Sequence, residues 1–227
     1  MGIKQWGNIW EDKIKNQNEV QIVHGSNSSI KKVKKELDTD KRNFKKNLFP
    51  LLSSSSKILD CGVGPMARYA ILFSKEGYDV TGVDISKTTI RHARAHAKNE
   101  CQDIKFIESN LIDLSNLRNN YFDLVFCTQT FGHIPSYLAL NVLKEFAKKT
   151  RKNKYCLVQF WIEEEPSVKQ ILTYSLYRLA HKIKKRIKKS YYINCSTYSH
   201  EEILDMIDRS GFELVKQFGG FYLMQKK

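Results

Sequence analysis

Residues 57–69, KILDCGVGPMARY, decide the fold of this protein. The first four residues form a short apolar run typical of a strand, Gly62 and Gly64 predict a turn, and residues 66–77 predict a helix. Glycines at such a turn let the backbone pass close to a ligand where a Cβ atom would clash. The GxG pattern alone is a weak signal, because a tight strand-to-helix turn favours the same residues.

The sequence on both sides of this stretch alternates between strand and helix patterns, which predicts an α/β fold with a doubly wound parallel sheet. A helix is expected over about residues 29–52, with Asp38-Thr39-Asp40 as a point where it breaks. Ser86 predicts an N-cap, and Ser199 with Glu202 predicts a capping box. The last two strands are separated only by Gly-Gly, so they must form a hairpin, which adds one antiparallel strand at the edge of the sheet.

An acidic residue follows the glycine turn at the spacing expected for a nucleotide site. Asp84 ends the next predicted strand, 24 positions after Asp60, where a carboxylate can accept both ribose hydroxyls of an adenosine-containing cofactor. A dinucleotide site is disfavoured because residues 63–67, VGPMA, lack the third glycine and because Asp60 would repel a pyrophosphate. Asp60 suits a ligand that carries an ammonium group, which indicates S-adenosylmethionine.

Residues 57–86 resemble motif I and the following strand of class I S-adenosylmethionine-dependent methyltransferases, and the resemblance extends over about residues 55–227. It is closest to the small-molecule group that includes ubiquinone/menaquinone-type methyltransferases. The resemblance implies a single Rossmann-like domain over 1–227 with strand order 3-2-1-4-5-7-6 and strand 7 antiparallel. Residues 1–54 would be an N-terminal helical cap, in which Trp6 and Trp10 either cover the cofactor or pack in the core.

The resemblance also implies a set of cofactor-binding residues. Asp60, Gly62 and Gly64 would hold the methionine end, and Asp84 the ribose hydroxyls. Ile85 would pack on adenine, Asn110 would accept from the adenine amine, and Leu111 would supply a backbone amide. Cys127 and Thr128 would line the methionine side. Arg68 follows a glycine segment that is one residue longer than is usual in the family, and no role is assigned to it.

The acceptor is less well determined. Methyl transfer is an in-line displacement, so positioning matters most, and a general base helps if the acceptor is a hydroxyl. His133 is the candidate base, with a purely structural role as the alternative; one of Glu163, Glu164 and Glu165 is another candidate. Residues 127–130, CTQT, are not the signature of amino-group methyltransferases, no Pro-Cys nucleophile is present, and no spaced acidic pair predicts a metal site. The remaining histidines are interpreted as surface or structural: His24, His92, His96, His181 and His200.

The composition of the chain limits its possible cellular setting and partners. The chain has 227 residues, 41% of them hydrophobic, so it can bury a core, and its net charge is +14. Five scattered cysteines and an N-terminus without an apolar core region predict a reducing, cytoplasmic setting and no secretory signal. Six positive charges lie in residues 182–189, within an expected basic helical lid over 163–195. Three interpretations of that helix remain open: a lid with a solvated basic face, a helix that binds an anionic inner membrane surface, or a helix that binds nucleic-acid phosphates.

The leading prediction is a methyltransferase acting on a small-molecule, glycan or lipid-linked acceptor, with transfer to oxygen. The first alternative is an RNA methyltransferase that uses residues 178–189 to bind phosphates. The second is a non-catalytic binding module on the same fold, which the complete set of Asp60, Gly62, Gly64 and Asp84 disfavours.

Overall fold

A seven-stranded sheet organises the computed structural model, which describes residues 11–12, 30–162 and 196–227. The strand order is β3-β2-β1-β4-β5-β7-β6, and β7 is antiparallel to both of its neighbours while the other pairs are parallel. The predicted fold class and strand order are therefore confirmed. The strands are β1 (Lys57–Cys61), β2 (Asp79–Asp84), β3 (Lys105–Glu108), β4 (Phe122–Cys127), β5 (Thr150–Gln159), β6 (Phe212–Phe218) and β7 (Phe221–Lys226).

The described helices alternate with these strands as the sequence predicts. They are α1 (Ile30–Asn47), α2 (Arg68–Lys75), α3 (Lys87–Asn99), α4 (Ser136–Lys149) and α5 (His200–Arg209), with short 3-10 turns at Phe49–Leu51 and Phe131–His133. None of the helices in the described ranges is both long and apolar enough to cross a membrane.

Two predicted helix starts are confirmed. The Ser86 hydroxyl accepts from the Thr89 amide at 3.0 Å at the start of α3, and Ser199 and Glu202 form the reciprocal capping box of α5. The expected break at Asp38-Thr39-Asp40 is wrong, because α1 continues through it and the Thr39 hydroxyl donates to the Lys35 carbonyl one turn back. That side chain bonds within the helix instead of competing with it.

The C-terminal hairpin has the strand order that the resemblance implies, and it overturns only the expectation from the Gly-Gly link that the antiparallel strand lies at the edge of the sheet. The antiparallel strand β7 lies inside the sheet, between β5 and β6, so the edge strand is β6. Burial explains the choice: residues 221–224 of β7 are all buried, whereas residues 213–217 of β6 are all exposed. The strand with the continuous apolar run takes the internal position because both of its faces can then be covered.

Helices cover both faces of the sheet. One layer packs α4 and α5 against the sheet, and the other packs α1, α2 and α3 against it. Phe44 of α1 is fully buried in the second layer and contacts the rings of Phe73, Phe126 and Phe221. The C-terminal half of α1 is therefore part of the core, and the parallel strands β1, β2, β4 and β5 all end at one edge of the sheet, where such folds bind ligands.

Candidate cofactor and acceptor site

The two glycines after β1 serve different purposes. Gly62 has φ +75°, and a Cβ atom on it would lie 2.3 Å from the side chain of Thr130. Gly64 has φ +66°, and a Cβ atom on it would meet nothing within 4 Å. Gly62 is thus required by the packing of the protein against itself, whereas the backbone at Gly64 borders open space that a ligand can approach.

Asp84 ties the end of β2 to this turn. Its carboxylate accepts hydrogen bonds from the Gly64 amide at 3.2 Å and from the Ser86 amide at 3.0 Å. Burial raises the pKa of Asp84 to about 6, although these amides act in the opposite direction. The Ile85 amide is a third backbone donor to this carboxylate, which has about four acceptor positions, so one acceptor position remains for a ligand. Asp84 can therefore accept a ribose hydroxyl while it holds the glycine turn.

Asp60 is the more deeply buried acid, with 2% of its surface exposed. Burial raises its pKa to about 7, the charge of Asp84 adds to the rise, and a hydrogen bond from the Ala70 backbone and the charge of Arg68 oppose it. A buried carboxylate of this kind is stabilised in its ionised form by a cationic ligand. Together with the open space at Gly64, it fits the ammonium group of S-adenosylmethionine.

The residues predicted to contact adenine lie next to Asp84. The Ser109 amide donates to the Asp84 carbonyl at 2.8 Å, which brings residues 110 and 111 to the end of β2. Ile85 is half-buried and Leu111 is 9% exposed. The amide oxygen of Asn110 accepts from the Ile112 amide at 3.1 Å, so one lone pair is used locally and one is left for a ligand.

The residues at the end of β4 are held in two different ways. Cys127 is fully buried in the apolar layer beneath α4, and burial raises the pKa of its thiol, so its backbone is what it can offer to a ligand. Thr128 donates to the Gln159 side chain at 2.6 Å. Gln159 ends β5, and the sequence interpretation missed it; a polar residue closing an apolar strand is the signal that marks it.

The acceptor side is built around the turn after β4. His133 is half-buried, and its ring centroid lies 4.8 Å from that of Trp161 in an edge-to-face arrangement. The indole of Trp161 also packs on Gly132, where a Cβ atom would come within 2.3 Å. Sequence reasoning assigned no role to Trp161, because its contact with residue 132 is a tertiary one.

The residues on either side of the segment 163–195 lie beside this turn. The Ser196 amide donates to the Gly132 carbonyl at 2.6 Å, and its hydroxyl donates to the Ile134 carbonyl at 2.8 Å. Ile162 pairs with Tyr198 in an isolated parallel bridge. Both ends of the segment 163–195 are therefore anchored next to His133.

An acidic residue from the N-terminal segment lies at the start of α3. Glu11 accepts from the Ser86 hydroxyl at 2.6 Å, from the Thr88 amide at 3.1 Å and from the Thr88 hydroxyl. A carboxylate is favoured there by the helix dipole. The charge of Glu11 also raises the pKa of Asp84, so Glu11 lies near the acid that is predicted to bind ribose.

Other predicted residues lie away from the site or outside the described residues. His92 and His96 are on α3, and His200 forms a 2.9 Å hydrogen bond with the Tyr222 hydroxyl. The described part of the chain contains no group of three or more metal-ligating side chains. The following predictions fall outside the described residues: Trp6, Trp10, His24, His181, Glu163, Glu164, Glu165 and the lid over 163–195.

Comparison with known proteins shows what the part of the chain around this site is similar to. A family model described as a methyltransferase domain matches residues 59–158, from β1 to the end of β5. The part of the chain that carries the candidate cofactor site is therefore similar to a methyltransferase domain. A methyltransferase domain agrees with the cofactor that the sequence interpretation names, S-adenosyl-L-methionine.

Two curated relatives show how far the methyltransferase likeness extends. A ubiquinone biosynthesis O-methyltransferase of Vibrio parahaemolyticus is 33% identical over 86 residues, which are 37% of this chain and 35% of that protein. A probable methyltransferase of Aspergillus luteorubrus, ltbC, is 32% identical over 96 residues, which are 39% of this chain and 33% of that protein. The matched region thus spans about a third of the length of these relatives.

Two solved structures are similar in fold to this chain. Magnesium protoporphyrin IX methyltransferase from Synechocystis PCC 6803 with bound SAM superimposes with a TM-score of 0.68 over 97% of both chains, at 13% identity. A protein of Pyrococcus horikoshii OT3 superimposes with a TM-score of 0.68 over 95% of this chain and 99% of its own, at 20% identity. At these identities the likeness concerns the fold.

Proposed function

We propose that the chain transfers a methyl group from S-adenosylmethionine to the oxygen of a small-molecule, glycan or lipid-linked acceptor. The observation that carries the proposal is the joined pair of acids: Asp84 holds the Gly64 amide at 3.2 Å while the more deeply buried Asp60 lies one strand away. The pair complements a ligand with an adenosine at one end and an ammonium group at the other. The O-methyltransferase names of the curated relatives support an oxygen acceptor.

The cofactor supplies a methyl group on a cationic sulfur, which is an activated leaving group. With this cofactor bound, the acceptor oxygen would form the new bond to the methyl carbon while the carbon–sulfur bond broke, and the electron pair of that bond would stay on the sulfur. In this proposal the site residues hold the cofactor in line with the acceptor, and that positioning lowers the barrier. The proton of an acceptor hydroxyl passes to the imidazole of His133, which lies at the carboxyl edge of the sheet beside the end of β4.

The acceptor approaches between the turn after β4 and the end of β5. The half-buried pair of His133 and Trp161 lines this approach, and both ends of the 163–195 segment are anchored beside it. That segment carries eleven Lys, Arg and Tyr side chains between residues 174 and 192. Its composition supports an acceptor with an anionic group, such as a phosphate-bearing lipid carrier, and the same cations would hold RNA in the alternative function.

The proposal is tested in two steps with the full chain. Calorimetry with S-adenosylmethionine should show binding; absence of binding to the native protein would overturn the proposal. Methyl-labelled cofactor is then incubated with organic-solvent extracts of cells and, separately, with total RNA. Label in extracted small molecules or lipids that depends on His133 supports the proposal. Label in RNA would establish the alternative, and cofactor binding with no transfer to either fraction would favour a binding module.

A further inference from the structure

The backbone on both sides of His133 is held by one residue that is distant in sequence. His133 ends the 3-10 turn Phe131–His133. The carbonyls that flank it, those of Gly132 and Ile134, both accept hydrogen bonds from Ser196: the first from its amide at 2.6 Å and the second from its hydroxyl at 2.8 Å. Ser196 lies 62 positions after Ile134, so only the fold brings these groups together.

Only one of these two bonds depends on the side chain of Ser196. The bond to the Gly132 carbonyl uses a backbone amide, which every residue except proline supplies. The bond to the Ile134 carbonyl needs a hydroxyl on the β-carbon, which serine and threonine offer. The hydroxyl of Ser196 therefore acts on the backbone that carries the imidazole of His133.

Trp161 acts on the ring of His133 itself. The indole and imidazole centroids are 4.8 Å apart, and the ring planes meet at 77°. The indole can reach this position because residue 132 is a glycine, on which a Cβ atom would lie 2.3 Å from the indole. The Tyr198 amide donates to the Trp161 carbonyl at 2.9 Å, which ties the chain around Ser196 to the end of β5. The backbone and the ring of His133 are thus held by two residues that are themselves connected.

We propose that Ser196 and Trp161 are positioning residues for the imidazole of His133. The inference rests on the proposed function, in which that imidazole accepts the proton of the acceptor hydroxyl. A 3-10 turn has poorer hydrogen-bond geometry than an α-helix, so contacts from outside the turn set the orientation of its side chains. A misplacement of about 1 Å at a reacting group can cost roughly 100-fold in rate. Ser196 and Trp161 therefore control the rate of transfer and leave the affinity for the cofactor unchanged.

The first test compares two serines whose hydroxyls make the same kind of bond. Ser196→Ala loses the bond to the Ile134 carbonyl, and the control Ser210→Ala loses a 2.7 Å bond to the Ile207 carbonyl at the end of α5. Transfer is measured with methyl-labelled cofactor and increasing amounts of the organic-solvent extract of cells, and cofactor affinity by calorimetry. Ser196→Ala should lower the maximal transfer rate roughly tenfold and change the S-adenosylmethionine affinity less than about twofold.

Two further results separate positioning from stability. Ser196→Thr keeps a hydroxyl, so it should restore the maximal rate to within about threefold of the native value. Ser210→Ala should leave that rate unchanged, although it should lower the urea midpoint of unfolding about as much as Ser196→Ala does.

The second test observes the imidazole directly and needs no acceptor. The indole of Trp161 shifts the ring-proton resonance of His133, which is identified by NMR of histidine-labelled protein as the signal absent from His133→Gln. Trp161→Leu should move this signal to the position of free histidine, and Ser196→Ala should move it part of the way. Ser210→Ala should leave it in place.

The inference requires both changes in Ser196→Ala. An unchanged transfer rate or an unchanged His133 signal in that variant overturns it, as does an equal loss of rate in Ser210→Ala. A native chain that binds S-adenosylmethionine but transfers no methyl group would instead overturn the proposed function, and the NMR signal would still decide whether Ser196 and Trp161 hold the imidazole.

Discussion

The ends of β1 and β2 differ in kind from the ends of β4 and β5. The first pair of strands carries two acids at or next to its carboxyl ends, Asp60 and Asp84, which are close in sequence. Burial raises their pKa values to about 7 and about 6. The second pair ends in neutral side chains, such as Thr128 and Gln159, held together by contacts between distant residues. The proposed cofactor side, at β1 and β2, thus consists of charged residues that are close in sequence. The proposed acceptor side, at β4 and β5, consists of residues that only the fold brings together.

The largest effect should follow loss of the carboxylate that links the cofactor to the glycine turn. Asp84→Ala removes the acceptor for a ribose hydroxyl and for the Gly64 amide, so calorimetry should show at least about a 100-fold loss in S-adenosylmethionine affinity. Asp79→Ala is the control, because Asp79 lies at the opposite end of β2 in an exposed ion pair with Lys57. Equal affinities for the two variants would contradict the assignment of Asp84.

Substitution of the two glycines should affect different quantities: the free energy of unfolding at Gly62 and the cofactor affinity at Gly64. Gly62→Ala forces a Cβ atom against Thr130 and should lower the free energy of unfolding by about 3 kcal/mol, measured by urea denaturation. Gly64→Ala meets no neighbour, so it should cost only about 1 kcal/mol of backbone strain but roughly tenfold in cofactor affinity, since the new methyl group faces the ligand. If Gly64→Ala proved the more destabilising of the two, the distinction between packing and ligand approach would be lost.

The pH dependence of cofactor binding should report Asp60. Its carboxylate binds an ammonium only when ionised, and its pKa without ligand is about 7. Affinity should therefore fall up to about tenfold per pH unit below 7 and level off above it. Calorimetry across pH 5.5 to 8.5 measures this profile, and Asp60→Asn should bind weakly with a flatter one.

The same acid should oppose folding in the absence of cofactor. The pKa of Asp60 is higher in the folded state, about 7, than in the unfolded chain, so the folded state binds the extra proton between about pH 4 and pH 7. Stability is therefore lost as the pH rises through that window. At pH 8, Asp60→Asn should raise the free energy of unfolding by on the order of 2 kcal/mol. A lower stability in thermal or urea unfolding would show that Asp60 is not strained by burial.

The smallest effect on the cofactor should come from the acceptor side. His133→Gln removes the imidazole but none of the charges around the methionyl group, so S-adenosylmethionine affinity should change less than about twofold. Transfer to a hydroxyl acceptor should fall by roughly 100-fold or more if the imidazole accepts the proton, and the pH profile of the rate should lose its lower limb. A large loss of cofactor affinity would place His133 on the cofactor side.

The cofactor side could be predicted because its residues are close in sequence and have restricted chemistry. Gly62, Gly64, Asp60 and Asp84 lie within 25 positions, and each residue type limits the backbone or charge that it can supply. The Gly-Gly link by itself predicted a hairpin with an antiparallel edge strand, whereas the family resemblance implied the internal position of β7, which burial explains. The roles of Ser196 and Trp161 were missed, because Ser196 depends on Ile134 and Trp161 on Gly132, and no local pattern joins these pairs.

The sequence by itself determined the α/β class, the glycine turn and the two acids, since local periodicity and residue type report backbone geometry and charge. The tertiary structure decided which side chains meet at the edge of the sheet. It placed Ser196 beside the two carbonyls that flank His133, buried Asp60 enough to raise its pKa, and packed Trp161 on Gly132. These features depend on distances between strands that are far apart along the chain, and packing, not local propensity, sets those distances.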